Sequence, residues 1–152
     1  QMCIRDSACL VLKSSYSGKC GLFDLSDGKQ VIDFRYDDIT LLGFNRALGK
    51  DGNRRYLLDT STGDVIASLP PNIGAAHFNE TPVTWIFRAK IYYGIIDEEG
   101  NILYEDAKDP LTGVTKFRHG FSGGQKDNKK WGILKSDGTW LVHPAYDYIK
   151  LL

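Results

Sequence analysis

The sequence predicts an all-β fold, a repeat array of three-stranded antiparallel meanders that is either open and solenoid-like or propeller-like. Three observations predict it. An apolar strand running into a turn that ends in Gly recurs four times, as GLFDLSDG from Gly21, YLLDTSTG from Tyr56, GIIDEEG from Gly94 and GILKSDG from Gly132. The starts lie 35, 38 and 38 residues apart, the period of an array of like supersecondary units rather than of one enzyme fold. No stretch keeps a helical i, i+3, i+4, i+7 apolar pattern free of Gly or Pro, whereas β-branched and aromatic residues crowd the segments before each turn.

Taken in order, Gln1 to Ser7 (QMCIRDS) carry neither the strand pattern nor the repeat and resemble a translated adapter remnant, so they are set aside as a non-native leader. The repeat domain then spans 8–152, in units of about 8–43, 44–81, 82–119 and 120–152. The last is the clearest. It parses into strands from Phe121 to Lys126, Lys130 to Lys135 and Thr139 to His143, separated by turns at Asp127-Asn128 and Asp137-Gly138. Asp-Gly supplies the positive φ that a tight hairpin needs. The other units place Asp27-Gly28, Thr62-Gly63 and Glu99-Gly100 at the second turn, and the second unit has Asp51-Gly52 at its first. Twelve strands in four meanders result. The connections run through Tyr36 to Phe44, Leu69 to Asn79 and Tyr104 to Arg118. Pro70-Pro71 and Asp109-Pro110 disfavour strand in the last two, and the acids Asp33, Asp37, Asp38, Glu105, Asp106 and Asp109 read as solvated linker charge. YDYIKLL, at the end of the chain, opens what would be a further unit, so the expectation is a piece of a longer array.

At 152 residues the chain suffices for one domain that buries roughly 70% of its unfolded surface. Nineteen basic and nineteen acidic residues balance, so no net field draws it to nucleic acid or anionic lipid. No apolar run approaches the roughly 18–20 residues of a membrane-spanning helix, and no insertion of this segment into a membrane is expected. Its localisation is not legible. Cys3, Cys9 and Cys20 all fall in the first twenty positions; Cys9 and Cys20 flank a hairpin turn from Ser14 to Gly18, which leaves open either a disulfide or two small buried thiols.

The segment KKWGILKSDGTWLVHPAYDYI, with Trp131-Gly132, Asp137-Gly138, Pro144 and Tyr146-Asp147, resembles the WG (KWG) repeat of bacterial proteins. The first unit resembles it too: Gly28 and Tyr36 are eight residues apart, as are Gly138 and Tyr146, and Tyr36-Asp37-Asp38-Ile39 parallels Tyr146-Asp147-Tyr148-Ile149. The second unit departs, with Arg55-Tyr56 for Trp-Gly and Pro71 for the Tyr. The third keeps Tyr93-Gly94 but has Lys108 for the Tyr. The resemblance covers about Ala8 to Ile149, and it implies interaction or binding rather than a defined activity. Gly on a strand leaves a gap that a cross-strand ring can cover, so Trp131 and Tyr93 read as packing anchors, buried along with Leu22, Ile95 and Ile133.

Residues that could carry chemistry are few. Gly120-Phe121-Ser122-Gly123-Gly124 matches the G-x-S-x-G nucleophile elbow, with Asp137 and His143 downstream in the order hydrolases use. That motif requires a strand-to-helix turn, and here a strand and turn follow. His77, His119 and His143 have no metal-ligand spacing, and the turns lack the pattern of a calcium loop, so no metal or cofactor is expected. Lys126, Lys129 and Lys130 beside Trp131, and Arg54-Arg55 beside Tyr56, read as turn charge rather than a nucleic-acid platform. The expectation is a non-catalytic repeat module presenting a surface to a protein or an envelope polymer, with specificity in the three connections. The alternative is a hydrolase fragment, with Ser122 as nucleophile or with a catalytic domain outside the segment.

Overall fold

The computed structural model describes residues 9–79, 81–106 and 110–152, and among them every regular element is a strand. The leader Gln1 to Ser7, Cys3, Lys108 and Asp109 lie outside the described residues. Among the described residues fifteen strands form four antiparallel sheets. The first is β1 (Cys9–Lys13), β2 (Cys20–Asp24) and β3 (Gln30–Tyr36). The second is β4 (Asp38–Gly43), β5 (Arg46–Asp51), β6 (Arg54–Asp59) and β7 (Val65–Leu69). The third is β8 (Gly74–Ala75), β9 (Val83–Arg88), β10 (Ile91–Asp97) and β11 (Ile102–Glu105). The fourth is β12 (Gly113–Val114), β13 (Phe121–Gln125), β14 (Trp131–Lys135) and β15 (Trp140–Tyr146). Two compact units divide between Asn72 and Ile73, each holding two sheets. No helix of the described residues is long and apolar enough to cross a membrane.

The expected three-stranded meander is the form of the first sheet, and each later sheet adds a fourth strand. The added strands are β4, β8 and β12, and they lie in the connections read as linkers. Each opening strand therefore comes from residues grouped with the preceding unit. Pro70-Pro71 and Pro110 do interrupt the chain, but strand resumes a few residues later, in pairs too short for any periodicity to register. β4 is a full strand in which Ile39 and Leu42 are buried, so the acids Asp37 and Asp38 mark its entry rather than a solvated link.

The turns follow their residues. Gly28, Gly63, Gly100 and Gly138, which end the four echoes, all hold φ between 72° and 87°, a region costly to residues with a Cβ. The Asp that precedes three of them caps its own turn: Asp24 Oδ1 accepts from Ser26 N, Asp59 Oδ1 from Ser61 N and Asp97 Oδ1 from Glu99 N, at 2.8–2.9 Å.

The glycine inside the echo has a different cause. A Cβ would meet a backbone carbonyl of the closing strand at 2.7 Å from Gly21 (Ile32 O) and 2.4 Å from Gly132 (Val142 O), where the register of that strand shifts, and at 2.9 Å from Gly94 (Tyr104 O), whose shift comes later, between Ile95 and Ile96. Only a residue without a side chain allows that approach. The second unit pairs Tyr56 with Ser68 before its register shifts, and it carries a side chain there.

Each compact unit has its own core. In the first, Leu22, Ile32, Tyr36 and Cys20 of one sheet meet Ile39, Ala47 and Leu58 of the next. In the second, Trp85 and Ile95 meet Leu111, Phe117 and Leu134. Leu22, Ile95 and Tyr93 are buried as expected, but Trp131 and Ile133 are only half-buried. The reason is the face. Leu22 and Ile95 lie under the following sheet, and no sheet of the described residues covers the equivalent face of the fourth, where Leu134 on the opposite face is fully buried. Cys9 and Cys20 form no disulfide, because they sit at opposite ends of the β1–β2 ladder, Cys9 across from Asp24 and Cys20 across from Lys13.

Candidate functional site

In the second compact unit, β9 (VTWIFR) runs between β8 and β10, so four consecutive residues, Val83 to Ile86, are buried on both faces. That placement carries Trp85, 1% exposed, into the core, where its ring stacks on Phe117 at 5.6 Å between centroids and 22° between planes. The stack is the floor of a cleft of about 260 Å³. One wall is Ala76 and His77, from the connection after β7, and the other is Val114 to Lys116, from the connection before β13. Two of the three connections thus converge on one concavity. Its surface is mainly apolar, with the exposed His77 and Lys116 at its mouth.

Equivalent hydroxyls hold the two walls. Thr84 lies opposite Ile96 and Ser122 opposite Leu134, the same register position in the third and fourth sheets. Thr84 Oγ1 donates to the carbonyls of Ala76 (2.8 Å) and His77 (3.0 Å). Ser122 Oγ donates to Thr115 O at 2.7 Å and accepts Trp85 Nε1–H at 2.9 Å, so floor and wall are tied through one oxygen. Thr115 Oγ1 in turn accepts the Gly123 N–H at 2.8 Å.

These bonds decide what Ser122 can do. It is fully buried in the middle of β13, its proton goes to a carbonyl, and no helix follows to make an elbow. Asp137 is exposed and accepts both the Thr139 N–H (2.9 Å) and the Thr139 hydroxyl (2.6 Å), contacts that hold its carboxyl below the ordinary carboxylate range. His143 is exposed on β15. The geometry does not supply Ser122 with a base. Among the described residues no three His, Cys, Asp or Glu side chains gather as metal ligands. His119 lies in a turn at φ 55°, its Nε2 3.2 Å from Leu152 O.

The basic clusters are spoken for locally. Arg55 donates to the carbonyls of Gly52 and Arg54 at 2.9 Å, bracing its own hairpin, which borders an open cleft with Tyr56 and Pro71. Lys130 pairs with Asp147, and the Lys126 ammonium lies over the Trp140 ring. The Lys130 pair has a counterpart. Lys19 and Lys130 each stand two residues before the echo glycine, Asp37 and Asp147 each follow a Tyr, and each Lys bonds its Asp across the pairs Cys20–Tyr36 and Trp131–Tyr146. The Lys19 ammonium, and then the Gly52 N–H at 2.7 Å, lower the Asp37 pKa, and Asp37 raises that of Lys19. Asp37 therefore joins the first sheet to the β5–β6 hairpin of the second. Sequence reasoning missed this lock, although the equal offsets of Lys and Asp from Gly and Tyr were visible. It also missed Thr84 and Thr115, whose roles depend on which strands become neighbours.

No protein-family model and no curated protein matches this sequence. Solved structures do. Hsv2p of Kluyveromyces lactis matches over 90% of this chain and 47% of its own, at 13% identity and a TM-score of 0.52. The computationally designed Ika8 protein matches over 91% and 48%, at 15% identity and a TM-score of 0.55. The designed Ika4 protein matches over 84% and 85%, at 16% identity and a TM-score of 0.52. The chain spans about half the length of Hsv2p and Ika8. At these identities the likeness is one of fold, an all-β repeat of propeller-like type built from antiparallel sheets of three and four strands.

Proposed function

We propose that this chain is a non-catalytic binding module of WG-type repeats and that it recognises an extended segment of a protein partner at the cleft over Trp85 and Phe117. The observation that carries this reading is convergence: the connections 69–79 and 104–118, the parts of a repeat freest to vary, form the two walls of one mainly apolar concavity. An envelope polymer is the weaker candidate, because sugar rings take exposed aromatic faces and Trp85 is 1% exposed.

The test is selection of a displayed random-peptide library on the immobilised chain, with Val114→Arg as counter-target. Val114 is half-buried on the wall, and Arg there fills the cleft without touching Trp85's hydrogen bond. Peptides whose affinity falls at least tenfold on Val114→Arg support the reading. Recovery of only cleft-independent peptides counts against it. Labelling by a serine-directed probe that disappears in Ser122→Ala would restore the hydrolase alternative.

A further inference from the structure

The cleft over Trp85 and Phe117 is small, and its charge is of one sign. Its volume of about 260 Å³ lies below the roughly 300–1,000 Å³ of pockets that enclose a whole small molecule, so it has room for one large side chain. Ala76, Tyr92 and Val114, all half-buried, give that side chain apolar walls above the closed floor. Polar groups inside the cleft are already occupied: the carbonyls of Ala76, His77 and Thr115 accept from Thr84 and Ser122, and the Trp85 N–H goes to Ser122. The interior therefore offers contact area, and polar selection falls to the mouth. There His77 stands on one wall and Lys116 on the other, both exposed, and no carboxylate lines the cleft. Several basic side chains elsewhere are matched, Lys19 with Asp37, Arg46 with Asp59 and Lys130 with Asp147, while Arg88 and Lys126 lie over the rings of Tyr93 and Trp140. Among the described residues neither the His77 imidazole nor the Lys116 ammonium has such a partner. One exposed lysine means little, but these two bases flank a single apolar concavity.

We propose that the segment held by this cleft seats one large apolar side chain between the walls and carries acidic residues within two positions of it, whose carboxylates meet Lys116 and His77. The inference rests on the peptide-binding reading above and narrows it to acidic–apolar sequences. Charge complementarity is what favours this occupant. Lys116 supplies a full positive charge, and His77 donates a hydrogen bond from one ring nitrogen when neutral and from two when charged. The formal net charge of the chain is zero, so the attraction belongs to the mouth and reaches about a Debye length, roughly 10 Å at 0.1 M salt. Exposed charge pairs contribute up to about a factor of five each, so the two together shift affinity by roughly tenfold, and the apolar anchor provides the rest. Such pairs at a rim select among partners more than they hold one.

Peptides recovered from a displayed random library on the full chain and lost on Val114→Arg provide the test. They are remade with acetylated and amidated ends, so that only side-chain carboxylates remain, and their binding is followed by fluorescence polarisation. The expected peptides carry Asp or Glu within two positions of the apolar anchor. Their Kd rises about threefold or more between about 0.1 M and 1 M salt, where the Debye length falls from about 10 to 3 Å. It rises about tenfold on Lys116→Glu, a change at an exposed side chain. A peptide with its acids replaced by Lys gives a second readout: it binds Lys116→Glu more tightly than it binds the parent chain, which a misfolded variant would not do. Cleft-dependent peptides that bind the parent and Lys116→Glu equally, or that carry no acid beside the anchor, overturn this inference and leave the peptide-binding reading standing. Recovery of no cleft-dependent peptide overturns both.

Discussion

Ser122→Ala distinguishes a structural serine from a catalytic one. The change removes the acceptor of the Trp85 indole N–H and the donor to the Thr115 carbonyl, in a place where Ser122 is 0% and Trp85 1% exposed, so water does not replace the lost partners. Each buried polar group left unsatisfied costs about 1–3 kcal/mol. With two groups affected and the smaller Ala partly relieving crowding, the expected loss is about 2–4 kcal/mol, and each kcal/mol lowers Tm by about 2–4 °C in a chain of this size. Trp85→Phe removes the N–H along with part of the ring. The double variant is less destabilised than the sum of the singles by about 1 kcal/mol, since the second change deletes the donor the first had orphaned. Urea unfolding followed by circular dichroism measures all four corners, provided the denaturant slopes agree. A Ser122→Ala variant within about 0.5 kcal/mol of the parent, or strict additivity, refutes the relay.

Three further outcomes are expected. Gly132→Ala places a Cβ 2.4 Å from Val142 O and 2.7 Å from Pro144 N, both backbone, and loses about 1–3 kcal/mol; Gly49→Ala meets only the side-chain ends of Leu58 and Tyr36 at 2.9 Å and loses less, so equal urea midpoints for the two would refute the bulge account. Asp37→Ala is less stable than the parent at neutral pH. Because the Asp37 pKa is lowered on folding, that advantage is complete above the unfolded carboxylate value of about 3.9 and disappears as pH falls through the folded value; the raised Lys19 pKa confines its own loss to above about pH 10.4, and a gap that instead closes between pH 5 and 9 contradicts the lock. Tyr93→Phe deletes a buried hydroxyl that has no hydrogen-bond partner among the described residues and raises stability by about 1 kcal/mol by thermal unfolding, whereas a loss would show that the hydroxyl is bonded.

The strands were legible wherever local chemistry sets them. Turn residues and apolar runs located β13 and β14 to within a residue and marked the course of β2 and β10, because a positive φ and a buried strand each leave a local mark. The opening strands were not legible, since β8 and β12 are two residues long and are strands only through their neighbours β9 and β13. The burial of Trp131 was misjudged for a related reason. Alternation tells which residues share a face but not whether another sheet covers it. The cleft was half legible: its walls lie in connections marked as variable, while its floor, Trp85 on Phe117, joins residues 32 positions apart whose stacking no spacing announces.

The departures from the repeat are where the cleft arises. In the first and fourth units the Lys–Asp lock ties the central strand to the closing strand. In the second, Leu69 rather than Pro71 pairs where Tyr36 and Tyr146 do, so Pro70 stands in the place of the Asp and offers no carboxylate. In the third, Tyr92 stands in the place of the Lys, two residues before Gly94, and its backbone turns to a different partner: Tyr92 N donates to Leu111 O at 2.9 Å and Leu111 N to Tyr92 O at 3.0 Å. That bridge draws the connection before β13 against the third sheet, buries Leu111 to 1% and leaves the Tyr92 ring on the cleft wall. A Lys in that place would direct its charge toward a carboxylate at the strand end rather than an apolar ring into the concavity. The unit that reads as a degraded repeat is thus the one whose substitutions shape a surface, as expected where local consistency is given up for a site.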